Sequence, residues 1–256
     1  MKDKIIARLR EIEKREHVKI LYAVESGSRG WGFESEDSDY DVRFVYAHPL
    51  DWYLSIGQQR DVIEYPKSNM LDISGWDIKK ALKLFKNSNS PLYEWFSSPT
   101  IYIERDGFTE KLRDLMPVFY SPVSCLYHYL HMAKGNYRHY LKGGRVRIKK
   151  YFYVLRPLLA CMWVERNKTI PPMEFEKLFQ AQRLDRELAT EITKLLKRKR
   201  AAGELAVGDR VDVINSFLEA KIEYFEHYTE TMKGKKPKED GVLDIFFQGI
   251  VKKFKN

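Results

Sequence analysis

Apolar positions along this chain follow two periods. Over residues 3–16, Ile5, Ile6, Leu9 and Ile12 recur at helical spacing among charged neighbours, which predicts an amphipathic helix. The run Ile20-Leu21-Tyr22-Ala23-Val24 predicts a first strand over 17–24, leading into a Gly27-Ser28 turn. After a polar loop, a second apolar run predicts a strand over 40–46. Residues 48–54 read as a turn into a short helix, and further strands are expected over 60–65 and 71–76. Asp77 stands where it would cap a helix over 78–87. Ile78, Leu82 and Phe85 lie on one side of that helix, with Lys79, Lys80, Lys83 and Lys86 on the other. A helical turn over 91–97, an alternating edge strand over 101–103 and a helix over 108–115 bring the chain to Pro117.

Beyond Pro122 the period is helical throughout. Leu126, Tyr127, Leu130, Ala133 and Tyr137 run down one face of a helix over 123–141, and Gly143-Gly144 breaks the pattern. Helices are expected over 145–167, 173–179, 184–200, 211–232 and 243–254, with a weak turn over 201–206 and a linker over 234–241. The whole pattern predicts an α+β protein. A small mixed sheet with flanking helices occupies residues 1–117, and a helical C-terminal domain occupies 118–256. A cleft between the two is the expected ligand site.

Composition narrows the class. With 256 residues and 44% hydrophobic content, the chain is long enough for one large domain or two modest ones. No stretch of about 18 uninterrupted apolar residues exists, so no membrane span is expected. The charged N-terminus lacks a signal-peptide core, and a cytoplasmic location is expected. Cys125 and Cys161 sit in apolar helical patterns and read as buried thiols; His128 and His131, three apart, lack the further ligands a zinc site needs. A net charge of +9 favours polyanionic partners. The lysines of 78–87 and the basic run 194–200 are candidate contacts, although charged helix faces are most often simply solvated.

Candidate chemistry concentrates between Gly27 and Arg43. Asp39 and Asp41 are one position apart at the start of a strand, so their side chains share a face. Two carboxylates that close repel unless a cation lies between them, and Mg²⁺ is the usual cation, held by one or two carboxylates plus substrate phosphates. Gly27 and Ser28 form the kind of turn that lets backbone N–H groups approach a phosphate. Neither the G-x-x-x-x-G-K-[ST] loop nor the G-x-G-x-x-G spacing is present. A phosphate cradle beside a metal-binding carboxylate pair is what nucleotidyl transfer requires.

The segment Val24-Glu25-Ser26-Gly27-Ser28 followed by Asp39-Tyr40-Asp41-Val42 resembles the signature of the DNA polymerase β-like nucleotidyltransferase superfamily, hG[GS] and then [DE]h[DE]h. Ser26 departs from it, since an apolar residue more often precedes the glycine. The wider pattern is similar to nucleotidyltransferases of the YcgL/RlaP type, which accompany RNA ligases in some genomes. That likeness rests on 27–32, 72–80, Asn89 with 94–99, and 150–157. The resemblance implies an NTP substrate, Mg²⁺ or Mn²⁺ at Asp39 and Asp41, and a third carboxylate on a neighbouring strand that holds a second metal ion and the acceptor oxygen. Asp72 suits that role better than Asp77, which reads as a cap; Asp61 and Glu64 are weaker candidates. It further implies that Gly27 and Ser28 hold the triphosphate and that Arg29 neutralises the leaving pyrophosphate. From the helical domain, Lys149 or Lys150, Tyr153 and Arg156 would assist. The implied acceptor is an RNA end; a protein hydroxyl, a small molecule, or a catalytically silent nucleotide- or RNA-binding module are the alternatives.

Overall fold

The computed structural model describes residues 1–203, 205–232 and 240–254. Its elements begin with α1 (Lys2–Glu16), β1 (Lys19–Ser26), α2 (Gly27–Gly30), β2 (Tyr40–Ala47), α3 (Leu50–Tyr53), β3 (Val62–Glu64) and β4 (Leu71–Asp77). There follow α4 (Ile78–Lys86), α5 (Ser90–Trp95), β5 (Ile101–Glu104), α6 (Phe108–Phe119), α7 (Pro122–Tyr140), β6 (Arg145–Arg147) and α8 (Ile148–Asn167). The last are α9 (Phe175–Gln180), α10 (Arg186–Ala202), β7 (Val207–Asp209), α11 (Asp212–Glu230) and α12 (Gly241–Val251). The fold is mixed α+β, as the pattern predicts. The expected linker falls, at 234–239, outside the described residues. The chain forms two compact units: Met1–Gly30 with Asp39–Tyr120 and the described C-terminal residues 240–254, and Trp31–Ser38 with 121–232.

The first unit is built on a five-stranded sheet in the order β3-β4-β2-β1-β5. β2 and β4 run parallel and the other neighbours antiparallel. α1 covers one face: Ile5, Leu9 and Ile12 pack on Ile20, Ala23, Val42, Phe44, Tyr46, Ile63 and Ile73. Each fully buried aliphatic side chain of this kind contributes about 1.5–3 kcal/mol, so the apolar stripe of α1, rather than its intrinsic helicity, secures the helix. Ile20 and Ala23 are three apart yet join the same cluster, because the pairing of β1 with β2 slips between Ile20 and Tyr22. Tyr22 takes the other face, with its ring 5.9 Å from Phe96 and its hydroxyl donating to the Trp95 carbonyl at 2.8 Å. Asp77 caps α4 by accepting from Lys79 N at 2.8 Å, and also accepts from the Tyr53 hydroxyl at 2.6 Å.

The second unit is helical apart from β6 and β7. The long helices α7 and α8 pack together, and α11 lies against both. Asn215 of α11 ties them: it accepts from the Tyr151 hydroxyl at 2.7 Å and donates to the Leu141 carbonyl at 3.0 Å. Cys125 and Cys161 are buried thiols here, outside any disulfide. The expected helix over 145–167 starts later, at Ile148. Arg145, Val146 and Arg147 alternate exposed, buried, exposed and pair antiparallel with β7, a three-residue strand between the expected turn over 201–206 and the helix expected from 211. Among the described residues no helix is long and apolar enough to cross a membrane.

Candidate active site

The parallel pairing of β2 with β4 sets Asp41 directly opposite Asp72. In a parallel ladder, paired residues face the same side of the sheet, and one cation answers both. Arg43, two residues beyond Asp41 and so on the same face, donates from Nη2 to Asp41 Oδ1 at 3.2 Å and to Asp72 Oδ2 at 2.8 Å. Its Nη1 donates to the carbonyls of Asp72 and Val42, each at 3.1 Å. Asp39, just before β2, accepts from Lys67 Nζ at 2.5 Å. The side chains of Asp39, Asp41 and Asp72 are 33%, 23% and 36% exposed, sheltered but open to a ligand. Among the described residues, no group of three or more His, Cys, Asp or Glu converges tightly enough to hold a metal ion alone. The observed unit is instead a pair of carboxylates sharing one positive charge.

Burial pushes the Asp41 carboxyl from its ordinary value of 3.8 up to about 6; the Arg43 charge opposes this, while those of Asp72 and Asp39 reinforce it. Behind Asp41 stands a second acid. Glu25, 3% exposed in β1, accepts from Asp41 N at 2.7 Å and from the Tyr102 hydroxyl, and burial raises its pKa as well. Replacing Arg43 by glutamine is expected to leave Asp41 and Asp72 facing each other without their shared counter-charge. The cost is on the order of 2 kcal/mol, read as a melting temperature lower by about 4–8 °C. An unchanged melting temperature would show that the bridge contributes nothing.

The glycine turn is closed against this pair. Gly27 has φ +56°, and a Cβ built there would lie 1.8 Å from Asp41 Oδ2. Only a glycine lets backbone and carboxylate approach so closely. Ser28 is buried in the α2 turn. Arg29 lies with Cζ 3.9 Å from the centre of the Tyr40 ring and donates from Nε to the Asp39 carbonyl at 3.2 Å. Gly27, Ser28, Arg29, Asp39, Asp41 and Asp72 are thus assembled in the first unit.

Lys149, Lys150, Tyr153 and Arg156 lie on α8 in the second unit. Lys150 Nζ is 3.8 Å from the Tyr140 ring centre and 4.8 Å from that of Tyr153. Arg156 is buried, with Nε donating to the Met173 carbonyl at 2.9 Å and Cζ 4.8 Å from the Trp31 ring centre. Trp31 belongs to the segment between the glycine turn and Asp39, and this segment packs into the helical unit. Phe33 is fully buried against Phe152 and Phe175, Phe175 N donates to the Trp31 carbonyl at 2.8 Å, and Lys199 donates to Ser35 Oγ at 2.9 Å.

Sequence reasoning missed Arg43, Lys67, Glu25 and Tyr102. The i, i+2 spacing of Asp41 and Arg43 is a legible signal for the first. Lys67 and Tyr102 reach their partners through tertiary pairing, which leaves no local mark, and Glu25 reads as the ordinary polar end of a strand.

The sequence model of the RlaP family, described as an RNA repair pathway DNA polymerase beta family, matches residues 1–248. The chain belongs to this family. RlaP membership carries the coarse activity, transfer of a nucleoside monophosphate, and makes the chain a nucleotidyltransferase. The uncharacterised protein YcgL of Bacillus subtilis is 51% identical to this RlaP member over 236 residues, covering 92% of this chain and 91% of that protein. Among solved structures, the spectinomycin adenyltransferase of Enterococcus faecialis, crystallised with ATP and spectinomycin, is 14% identical. It covers 90% of this chain and 97% of that one, with a TM-score of 0.44. A nucleotidyltransferase-like protein of Exiguobacterium sibiricum is also 14% identical, covering 89% of this chain and 75% of that one, with a TM-score of 0.31.

Proposed function

We propose that this RlaP-family member transfers a nucleoside monophosphate from an NTP to a hydroxyl at an RNA end, with Mg²⁺ or Mn²⁺ as cofactor. The observation that carries the reading is the register of Asp41 opposite Asp72, with one cation between them and the Gly27 turn pressed against Asp41. The donor set suits a divalent ion: it is all-oxygen, partly buried, and already accommodates a positive charge in the form of the Arg43 guanidinium. Asp39 and Asp41 would hold the ion and Asp72 would complete the site. When bound, such an ion polarises phosphoryl oxygens and neutralises charge on the triphosphate.

The chain's own residues do the rest. Gly27 and Ser28 seat the tail of the triphosphate, and Arg29 offsets the charge that builds on pyrophosphate as its bond to the α-phosphorus breaks. Asp72 accepts the proton of the acceptor hydroxyl as that oxygen bonds to the α-phosphorus. Arg43 keeps Asp41 and Asp72 from repelling each other in the resting enzyme. The further nucleotide contacts that the family resemblance implies, Lys149, Lys150, Tyr153 and Arg156, all lie on α8. The RNA acceptor is supported by the family's RNA repair description and by the net charge of +9.

The test is direct. The protein is incubated with each α-labelled NTP, Mg²⁺ or Mn²⁺, and a single-stranded oligoribonucleotide with free end hydroxyls. Label is expected on the RNA and is expected to vanish with a chelator. Label on the protein itself, or transfer that survives chelation, overturns the corresponding part of the reading.

A further inference from the structure

Positive charge is widespread in this chain, and its most lysine-rich helices are partly engaged. On α4, Lys80 pairs with Asp61 at 2.9 Å and Lys86 with Asp240 at 2.6 Å. On α10, Lys194 pairs with Glu191 at 2.6 Å, and Arg200 donates to Glu176 at 3.0 Å and to the Gly32 carbonyl at 2.7 Å. Lys199, in the middle of the basic run, is completely buried. Lys80 and Lys86 of α4 and Lys194, Lys199 and Arg200 of α10 thus serve the fold, while Lys79, Lys83, Lys197 and Arg198 are exposed.

The corner where α7 ends, β6 runs and α8 begins is different. No Asp or Glu occurs between Asp114 and Glu165. Arg138, Lys142, Arg145 and Arg147 are all exposed there. Arg145 and Arg147 project from the same side of β6, because Val146 between them turns inward. Arg145 meets Asp209 at 3.9 Å, with both side chains mostly in solvent, a pairing worth little. Among the described residues no carboxylate pairs with Arg138, Lys142 or Arg147. The end of α7 also exposes an aromatic ring: Tyr140 is 46% exposed, with Lys150 Nζ 3.8 Å from its centre.

Exposed cations with weak carboxylate pairing or none, together with an exposed ring on which a base stacks, are what single-stranded nucleic acid requires. We infer that the α7–β6–α8 corner is the docking surface for single-stranded RNA, with Arg138, Lys142, Arg145 and Arg147 on phosphates and Tyr140 stacked on a base. The surface runs directly into Lys149 and Lys150 at the start of α8, so a docked strand leads toward the residues assigned to the nucleotide. This inference rests on the RNA-acceptor reading and specifies the surface that would serve it.

Binding is measured by fluorescence anisotropy with an end-labelled oligoribonucleotide, in the absence of NTP and divalent ion, across a NaCl series. Arg138→Gln/Arg145→Gln/Arg147→Gln is expected to weaken binding at least tenfold and to flatten the slope of log affinity against log salt by about 2, near 0.7 for each phosphate that is no longer neutralised. Tyr140→Ala is expected to weaken it about tenfold with the slope unchanged, because stacking releases no counterions. Changes below twofold in both surface variants overturn the inference, and so does equal affinity for an inorganic polyphosphate of matched charge. Circular dichroism establishes that each variant is folded. Transfer without binding at this corner would remove the surface and leave the transferase reading standing; binding without transfer would do the reverse.

Discussion

An Asp41→Asn variant is expected to lose transfer by about a thousandfold or more while gaining stability at neutral pH. The loss follows from the role proposed for the carboxylate, since a metal site supplies several kcal/mol of charge stabilisation and each 1.36 kcal/mol is a factor of ten. The gain follows from its surroundings. The folded protein holds the Asp41 proton up to about pH 6 against an ordinary value of 3.8, because the group is desolvated and faces Asp72 and Asp39. Between those values the folded state binds more protons than the unfolded chain. Without divalent ion, Asp41 is therefore least costly below pH 4, and stability falls as pH rises through about 6. Asparagine carries no charge and shows no such fall. The stability difference, variant over parent, should open between pH 4 and 6.5 and level off at on the order of 1–3 kcal/mol. Urea titrations at pH 4, 5, 6 and 7.5 read it. A variant less stable than the parent at pH 7.5, or one retaining a tenth of the transfer rate, contradicts this account.

Gly27→Ala is expected to damage stability and transfer together, by geometry rather than charge. Alanine is strained at φ +56°, which alone costs about 1–3 kcal/mol, and its Cβ would fall 1.8 Å from Asp41 Oδ2. Either the turn opens or the carboxylate swings away from Arg43. A displacement of about 1 Å at a reacting centre costs about a hundredfold in rate, so both melting temperature and transfer should drop. The cause can be isolated. Combining Gly27→Ala with Asp41→Ser removes the collision partner and should recover a substantial part of the lost stability, since neighbouring sites that clash are not additive. If the double variant is no more stable than additivity allows, the strain lies elsewhere.

Much of this arrangement is readable from the chain. The i, i+2 spacing of Asp39 and Asp41, the Gly27-Ser28 turn and the capping position of Asp77 are local features, and local features survive in sequence. The alternation in β2 and β4 marks both strands, but nothing in either says that they are parallel or which residues face each other. The Asp41–Asp72 register is set by the whole sheet. The same holds for Lys67 on Asp39 and for Glu25 beneath Asp41, which are products of pairing between distant segments. β6 and β7 escaped because strands of three residues carry too little periodicity to outweigh the helical pattern around them. The basic run of α10 hides an exception: five of its seven residues are charged, yet Lys199 among them is turned inward.

The path of the backbone bears on how such a protein can be inherited. Because Trp31–Ser38 is lodged among helices encoded more than a hundred positions later, and the final helix α12 returns to the first unit against α4, no single cut separates one half from the other. Gene fusion or recombination at one point would strand Phe33 without its aromatic socket, or deprive the socket of its plug. The two halves should therefore travel through evolution as an inseparable pair, and a shortened relative lacking the helices would have to carry a rebuilt segment between its glycine turn and its first aspartate.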